Sequence, residues 1–368
     1  MFRLSANHDL LIGFNLADSV CESTTNHEVA YHPLGEICFE AASAADAKNV
    51  FNQHVQVKTL WPKSKKYKET FLSKKLTIKL QEEGVNCQHN GDILFGVIEI
   101  EELEKSEELD ALSGGSTTAL ETLEKATEQA YARILALLDK HSYKYLWRTW
   151  NYIPSINAVT HGRERYQQFN AGRQKGFASA ARDVIGNVPA ACALGVQGRR
   201  LSIAFLAGRT PTLALENPRQ ISAYHYPKQY GAQSPTFSRA SLARLNQQEF
   251  LLLSGTASIV GHETVHVGDV TKQTIESLAN IEAIIVQANL STRSKATYKL
   301  EDFCLRVYIR HENDFEAVKA VMDERLGLGH KALYLQADIC RSDLDVEIEG
   351  VASHDLPAAV NASRVNPL

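Results

Sequence analysis

The chain has 368 residues, of which 44% are hydrophobic and 22% charged, with a formal net charge of −4. That length is long for one core and favours two domains, while the mild acidity argues against a dedicated nucleic-acid or membrane-surface protein. The six cysteines, at 21, 38, 87, 192, 304 and 340, have neither a C-x-x-C pair nor framework spacing, which points to reduced thiols in a cytoplasm and not to a secreted disulfide scaffold. The first residues offer no basic n-region or apolar h-region, and no apolar run reaches the about 18 residues a membrane span needs. A soluble cytoplasmic protein is expected.

Residues 1–60 read as short strands broken by turns, at Leu10 to Leu16 and Gly35 to Phe39. Trp61 to Lys68, with Lys74, Lys75 and Lys79, interleaves lysine with aromatics. A phosphate-tracking groove uses that pattern, but so does a solvated loop with a lysine-protected edge strand, and the acidic total favours the latter. Gly91 to Glu101 is an apolar strand running into an acidic turn.

From there the chain describes one pattern twice. The first copy has a strand at Ile93–Ile98, a helix at Thr117–Asp139, a strand at Tyr145–Trp150, a helix at Glu164–Gly176, and strands at Ala191–Gly195 and Leu201–Leu206. In the second copy the corresponding pieces are Leu251–Ala257, Lys272–Gln287, Phe303–Tyr308, Asp314–Leu326, Ala332–Gln336 and Leu344–Gly350. The helices follow from apolar spacing of three and four, as in Leu120, Leu123, Ala126, Ala130, Ile134 and Leu137. Ser113 or Ser116 offers an N-cap to the first helix, and Asn313 or Asp314 to the last. Two α+β domains follow, each a sheet with two helices on one face.

The connection Glu216 to Pro227 and the entry segment Ser234 to Ala240 are polar and aromatic, the kind of chain that often lines pockets. His262-Glu263-Thr264-Val265-His266 spells H-E-x-x-H, with Glu282 downstream. A zinc site of that type needs a helix to bring both histidines to one face. Flanking Gly261 and Gly268 and the β-branched Thr264, Val265 and Val267 favour an extended chain. No metal is expected there.

The last strand alternates strictly: Leu344, Val346 and Ile348 on one face, Asp345, Glu347 and Glu349 on the other. One reading is a half-buried strand with a solvated acidic face. The other makes one carboxylate a proton donor beside the thiol of Cys340. Overlaying the copies puts Leu201 on Leu344 and therefore Ala204 on Glu347. A fold needs neither side chain there, so the acid is an addition to the second copy. The end, from Asp355, lacks periodicity and reads as a tail.

The runs YLWRTWNYIPSIN (145–157), GRERYQQFNAGR (162–173), ENPRQISAYHYP (216–227), SGTASIVGHETVHVGD (254–269) and CRSDLDVEIEG (340–350) closely resemble the chorismatase family. The agreement spans roughly residues 90–352. The resemblance implies two tandem YjgF/Rid-like (chorismate-mutase-like) domains, 1–212 and 213–355, with 356–368 as a flexible tail, in a monomer or a homotrimer. It also implies a cofactor-free, metal-free enzyme that takes chorismate and cleaves its enolpyruvyl ether, with no nucleic-acid or membrane partner. The family places its acid where Glu347 stands. A cysteine seven residues earlier, Cys340 here, marks the branch forming 3-hydroxybenzoate; a branch giving 3- and 4-hydroxybenzoate together is also compatible. A purely hydrolytic branch releases a dihydroxycyclohexadiene carboxylate instead, and a non-catalytic binder of small acids is the reading from another class. For the substrate's carboxylates and ring, the candidates are Arg173 and Arg219, with Arg165 as a third, together with Tyr152, Tyr166, Tyr224 and Tyr226. Gly255 and Ala257 allow close backbone approach and fall where the family discriminates by residue size.

Overall fold

The computed structural model describes residues 9–16, 31–40, 49–62, 66–101 and 122–357. Five strands come first: β1 (Leu10–Leu16), β2 (His32–Glu40), β3 (Gln53–Gln56), β4 (Lys58–Trp61) and β5 (Lys66–Ser73). Four of them make a small sheet in the order β1-β5-β2-β3, and β4 leaves it. The first copy then runs through β6 (Ile78–Glu82), β7 (Val85–His89), β8 (Ile93–Glu101), helix α1 (Leu123–Lys140), β9 (Tyr145–Pro154), the short β10 (Val159–Thr160) and β11 (Arg163–Glu164), α2 (Arg165–Ser179), β12 (Ala190–Val196) and β13 (Arg200–Gly208). The second runs through β14 (Leu213–Leu215), β15 (Ala240–Leu245), β16 (Gln248–Ala257), the short β17 (Ile259–Val260) and β18 (Glu263–Thr264), α3 (Val270–Ser291), β19 (Cys304–Ile309), α4 (Phe315–Leu326), β20 (Ala332–Gln336), β21 (Asp338–Ile339) and β22 (Val346–Asp355).

The two large sheets have the orders β21-β12-β9-β13-β8-β7-β6 and β4-β20-β19-β22-β16-β15-β14. Read side by side, they match strand for strand. In each, the strand after the second helix lies parallel to the strand before it, the helix forming the crossover that parallel pairing requires (β12 on β9, β20 on β19). The chain is α+β, with two tandem units, each a mixed sheet carrying two helices on one face. The repeat is larger than the sequence suggested, since β6–β7 and β14–β15 extend it. The outermost strands also cross over: β21 lies within the second copy, between β20 and β22, but pairs with β12 of the first, Leu194 facing Ile339. Likewise β4 precedes the first copy and pairs with β20 of the second.

The helices cover the outer faces. Leu123, Ala126, Ala130, Ile134 and Leu137 of α1 pack on Ile98, Leu201, Ile203 and Phe205. Leu278, Ile281 and Ile285 of α3 and Val318 and Met322 of α4 pack on Leu251, Leu253, Val346 and Ile348. Thr122 caps α1, its side chain accepting from the amide of Lys125, and Asp269 caps α3 through Lys272. Asp314 occupies the N-cap of α4 but its side chain accepts no cap bond. The Ser113–Ser116 cap and the first residues of the expected helix lie outside the described residues, as do 358–368.

The inner faces meet in a third core, where Trp150, Tyr152, Ala204 and Leu206 from one sheet join Ala257, Tyr308 and Leu335 from the other, under Phe39 and Phe71 of the small sheet. This settles which way the acidic strand faces. Glu347 is 3% and Glu349 1% exposed, so the reading of a solvated acidic face is wrong: alternation separates the two faces, but the first copy and the small N-terminal sheet together cover the acidic one. The strand also begins later than expected. Leu344 and Asp345 remain in the preceding turn, where the amide of Leu344 donates to Arg341 O (3.2 Å) and that of Asp345 to Gln273 Oε1 (2.8 Å).

The lysine-rich stretch is only in part the expected edge: Trp61 ends the edge strand β4 and Lys79 lies on the edge strand β6, but Tyr67 and Lys68 lie on β5, between β1 and β2. Lys58 meets Glu312 at 2.5 Å and Lys68 meets Glu36 at 3.1 Å, while Lys63 to Lys65 lie outside the described residues. The H-E-x-x-H run is not helical: Glu263 and Thr264 form β18, His262 lies in the turn before it, and His266, with a φ of 61°, in the bend after it. His262 Nδ1 lies 3.3 Å from Tyr230 OH and His266 Nε2 lies 3.5 Å from Glu276. Among the described residues no helix is long and apolar enough to cross a membrane.

Candidate active site

Register places the acid. On β22, Glu347 lies between Tyr308 of β19 and Ala257 of β16, just as Ala204 on β13 lies between Trp150 of β9 and Val97 of β8. The methyl of one copy and the carboxyl of the other therefore occupy equivalent sheet positions. Beside Ala257, Gly255 leaves the room the carboxyl occupies: a Cβ built on Gly255 would sit 1.9 Å from Glu347 Oε1 and 2.6 Å from its Cδ.

Glu347 closes one wall of a cavity of about 120 Å³ that lies between the two copies. The first copy contributes Tyr166, Asn170 and Arg173 of α2 and Cys192 of β12. Tyr166 and Arg173 are seven positions apart, two helical turns, and so share a face. The second copy contributes Gly255, Ala257, Cys340, Arg341 and Glu347, and the connection supplies Tyr226, Tyr230, Phe237 and Arg239. The copies are tied beneath it, because the amides of Ala190 and Ala191 on β12 donate to Ser241 Oγ and Ser254 Oγ, each at 2.9 Å. Exposed Gln229 lines the mouth and buried Glu347 the floor.

The electrostatics separate the two carboxylates. Burial raises Glu347 first and the neighbouring Glu349 charge second, outweighing Arg148, so its carboxyl titrates near 8. Its Oε1 is buried and has no hydrogen-bond partner among the described residues. Burial acts on Glu349 too, but Arg306 and Arg148 overcome it and hold this carboxyl below the usual range. Glu349 pairs with Arg148, accepts from Arg306 Nη1 at 2.9 Å and accepts from Tyr308 OH at 2.7 Å. The outcome is a protonated acid beside an ionised one.

The thiol of Cys340 is pushed up to about 12, by burial and then by the charge of Glu347. Its turn is fixed by Asn157 Nδ2, which donates to Ile339 O (3.1 Å), and by Arg310 Nη2, which donates to Arg341 O (2.7 Å). Cations line the opposite side. Arg341 stacks on Tyr230, 3.9 Å from the ring centre, and donates to His262 O at 2.9 Å. Arg239 donates to Tyr226 OH at 2.7 Å, and Arg173 lies 5.2 Å over the Tyr131 ring. Arg173 Nε, Arg239 Nε and Arg341 Nη2 are buried without hydrogen-bond partners among the described residues. An anionic ligand with a site for protonation between these groups and Glu347 suits that arrangement.

The profile described as "Chorismatase FkbO/Hyg5-like, N-terminal" matches residues 69–207. A chorismatase from Streptomyces rapamycinicus is 36% identical over 277 residues, covering 74% of this chain and 78% of the relative. The chain belongs to the chorismatase family. A 3-hydroxybenzoate synthase from Streptomyces hygroscopicus is 38% identical over 235 residues, 62% of this chain and 69% of its own. A crystal structure of a chorismatase superposes with a TM-score of 0.78 at 28% identity, covering 93% of this chain and 98% of the other.

In this chorismatase, seven of the eleven residues singled out from sequence reach the cavity wall: Tyr166, Arg173, Tyr226, Gly255, Ala257, Cys340 and Glu347. Four do not. Tyr152 faces the inner core, its hydroxyl 2.8 Å from that of Tyr308, because it shares a face of β9 with Trp150. Arg219 is captured by α3, bonding Asn280 Oδ1 at 2.7 Å and Glu276 at 2.5 Å. Tyr224 turns aside in the 223–225 turn, its ring edge-on to His225 at 4.8 Å. Arg165 is likewise spent on Pro154 O, at 2.7 Å. Sequence reasoning passed over Arg239, Arg341 and Cys192. Arg341 had a signal, since it directly follows Cys340; Cys192 had none beyond its strand.

Proposed function

We propose that this chain binds chorismate in the cavity between its copies and protonates the enolpyruvyl ether with Glu347, releasing pyruvate and leaving 3-hydroxybenzoate. The observation that carries this is a buried carboxyl, titrating near 8, facing a cavity lined with arginine. A vinyl ether is cleaved by adding a proton to its terminal methylene carbon, which gives an oxocarbenium ion. Carbon accepts protons slowly, so the acid must be held in place and stay protonated near neutrality. Arg173, Arg239 and Arg341 receive the carboxylates, and Tyr166 and Tyr226 flank the ring. The same reading divides the chain after residue 212.

The oxocarbenium ion has two fates. Capture by water gives pyruvate and a dihydroxycyclohexadiene carboxylate, with one water consumed. Intervention of the adjacent ring hydroxyl gives pyruvate and 3-hydroxybenzoate, whose atoms add up to chorismate with no water taken up. Cys340, a neutral thiol beside the acid, favours the second fate by occupying space that a water would need. The purified protein given chorismate should release pyruvate and 3-hydroxybenzoate in equal amounts. Accumulation of the diene diol would overturn the branch, and no pyruvate would overturn the activity. Cys340→Ala should raise the diene diol share several-fold, read by chromatography of the products; an unchanged ratio removes the cysteine from this role.

Because the proton donor works only in its protonated form, rate should be level at neutral pH and fall as pH rises through about 8. Above that point, kcat/KM should drop about tenfold per pH unit. A flat profile to pH 9.5 would contradict the assignment.

A further inference from the structure

Beneath the cavity floor, ion pairs run in a chain through the inner core. Arg148 of β9 pairs with Glu349 of β22, Glu349 with Arg306 of β19, and Arg306 with Glu69 of β5. All four are buried, none more than 3% exposed. Two cations and two anions alternate, so the chain sums to zero. Its last member comes from neither copy but from the small N-terminal sheet, which also lays Phe39 against Arg306, 5.2 Å from ring centre to guanidinium carbon. A buried charge is tolerated only where it is paired, so Arg306 depends on both Glu349 and Glu69.

We propose that Glu69 is a positioning residue for proton transfer: it holds Arg306 on Glu349 and thereby keeps the buried charge beside Glu347 balanced. This rests on Glu347 being the proton donor. Glu349 and Glu347 share one face of β22, two residues and about 7 Å apart along the strand. A net positive charge left on Arg306 would therefore favour the ionised form of Glu347, and a net negative charge the protonated form. The other groups facing Glu347 stay constant. They are the thiols of Cys340 and Cys192, the phenols of Tyr166 on α2 and Tyr308 on β19, and, across the cavity, Arg173, Arg239, Arg341 and Glu164. The N-terminal sheet, which lies outside both copies, would then be part of the catalytic centre.

The test is the pH dependence of pyruvate release from chorismate in two opposed variants. Glu69→Gln removes one negative charge at nearly constant shape, so its alkaline limb should move about one pH unit lower, leaving roughly a tenth of the parent rate above both limbs. Arg148→Gln removes a positive charge, so its limb should move upward. Adding Arg306→Gln to Glu69→Gln restores neutrality and should bring the limb back. A merely structural role would lower activity at every pH without moving the limb. A stationary limb in folded Glu69→Gln overturns the proposal; if that variant does not fold, a stationary or lowered limb in Arg148→Gln does so. Failure of the underlying reading looks different: Glu347→Gln would stay active and the parent would show no alkaline limb.

Discussion

Glu347→Gln should melt no lower than the parent at pH 7 and turn chorismate over at least about 10³-fold more slowly. The substitution keeps the shape of a side chain whose carboxyl is already neutral at pH 7, so the packing between Tyr308 and Ala257 is undisturbed. An amide has no acidic proton to give, and the nearest alternatives are poor donors: burial pushes Cys340 up to about 12 and Tyr166 above the usual phenol range. The pH dependence of stability separates loss of the acid from damage to the fold. The folded carboxyl of Glu347 titrates at about 8 against an ordinary value of 4.5. Its stabilising contribution is complete below the lower value and is lost as pH rises through the upper one. Glutamine does not titrate, so the variant should gain stability relative to the parent between those limits. An active variant, or one that melts early at pH 7, would end the assignment of Glu347 as proton donor.

What the sequence conveyed about this site depended on how local the information was. Period-two alternation put Glu347 and Glu349 on one face, and comparison of the copies set Ala204 against Glu347, which the registers of β13 and β22 reproduce. Neither could reveal what covers that face, because its cover comes from parts distant in sequence: Arg148 of the first copy, and Phe39, Glu69 and Phe71 from outside the repeat. For the same reason the exchange of β4 and β21 between the sheets was invisible: a strand's own residues do not say which edge it joins. The arginines show how residue type falls short of placement. Arg219 has the right chemistry and a suggestive segment, but Glu276 and Asn280 of α3 take its guanidinium. Arg239 and Arg341 reach the cavity because aromatic rings hold them there. Tyr152 was within reach of the sequence, since β9 must turn it to the same side as Trp150.

Gly255→Ala should fold and lose about 10²-fold in kcat, because its one added carbon lands on the acid itself. The position is in a strand, and Gly255 is not among the glycines with left-handed backbone angles, so alanine introduces no backbone strain there. The collision is instead with Oε1, Cδ and Cγ of Glu347, at 1.9, 2.6 and 3.2 Å. Three atoms of one side chain cannot be cleared by a small shift, and Tyr308 and Ala257 flank it on the neighbouring strands, so the carboxyl must swing to another rotamer. A displacement of about 1 Å at a reacting group is enough for a loss of that size. If, as proposed, Arg173, Arg239 and Arg341 receive the substrate's carboxylates across the cavity, binding should be largely spared: kcat should fall while KM stays within a few-fold. Paired with Glu347→Gln, the variant also distinguishes displacing the proton from deleting it, since the double variant should be no slower than Glu347→Gln alone. A Gly255→Ala protein with parental kcat would mean that the carboxyl does not need the place it occupies beside this glycine, and the geometric case for Glu347 would fall with it.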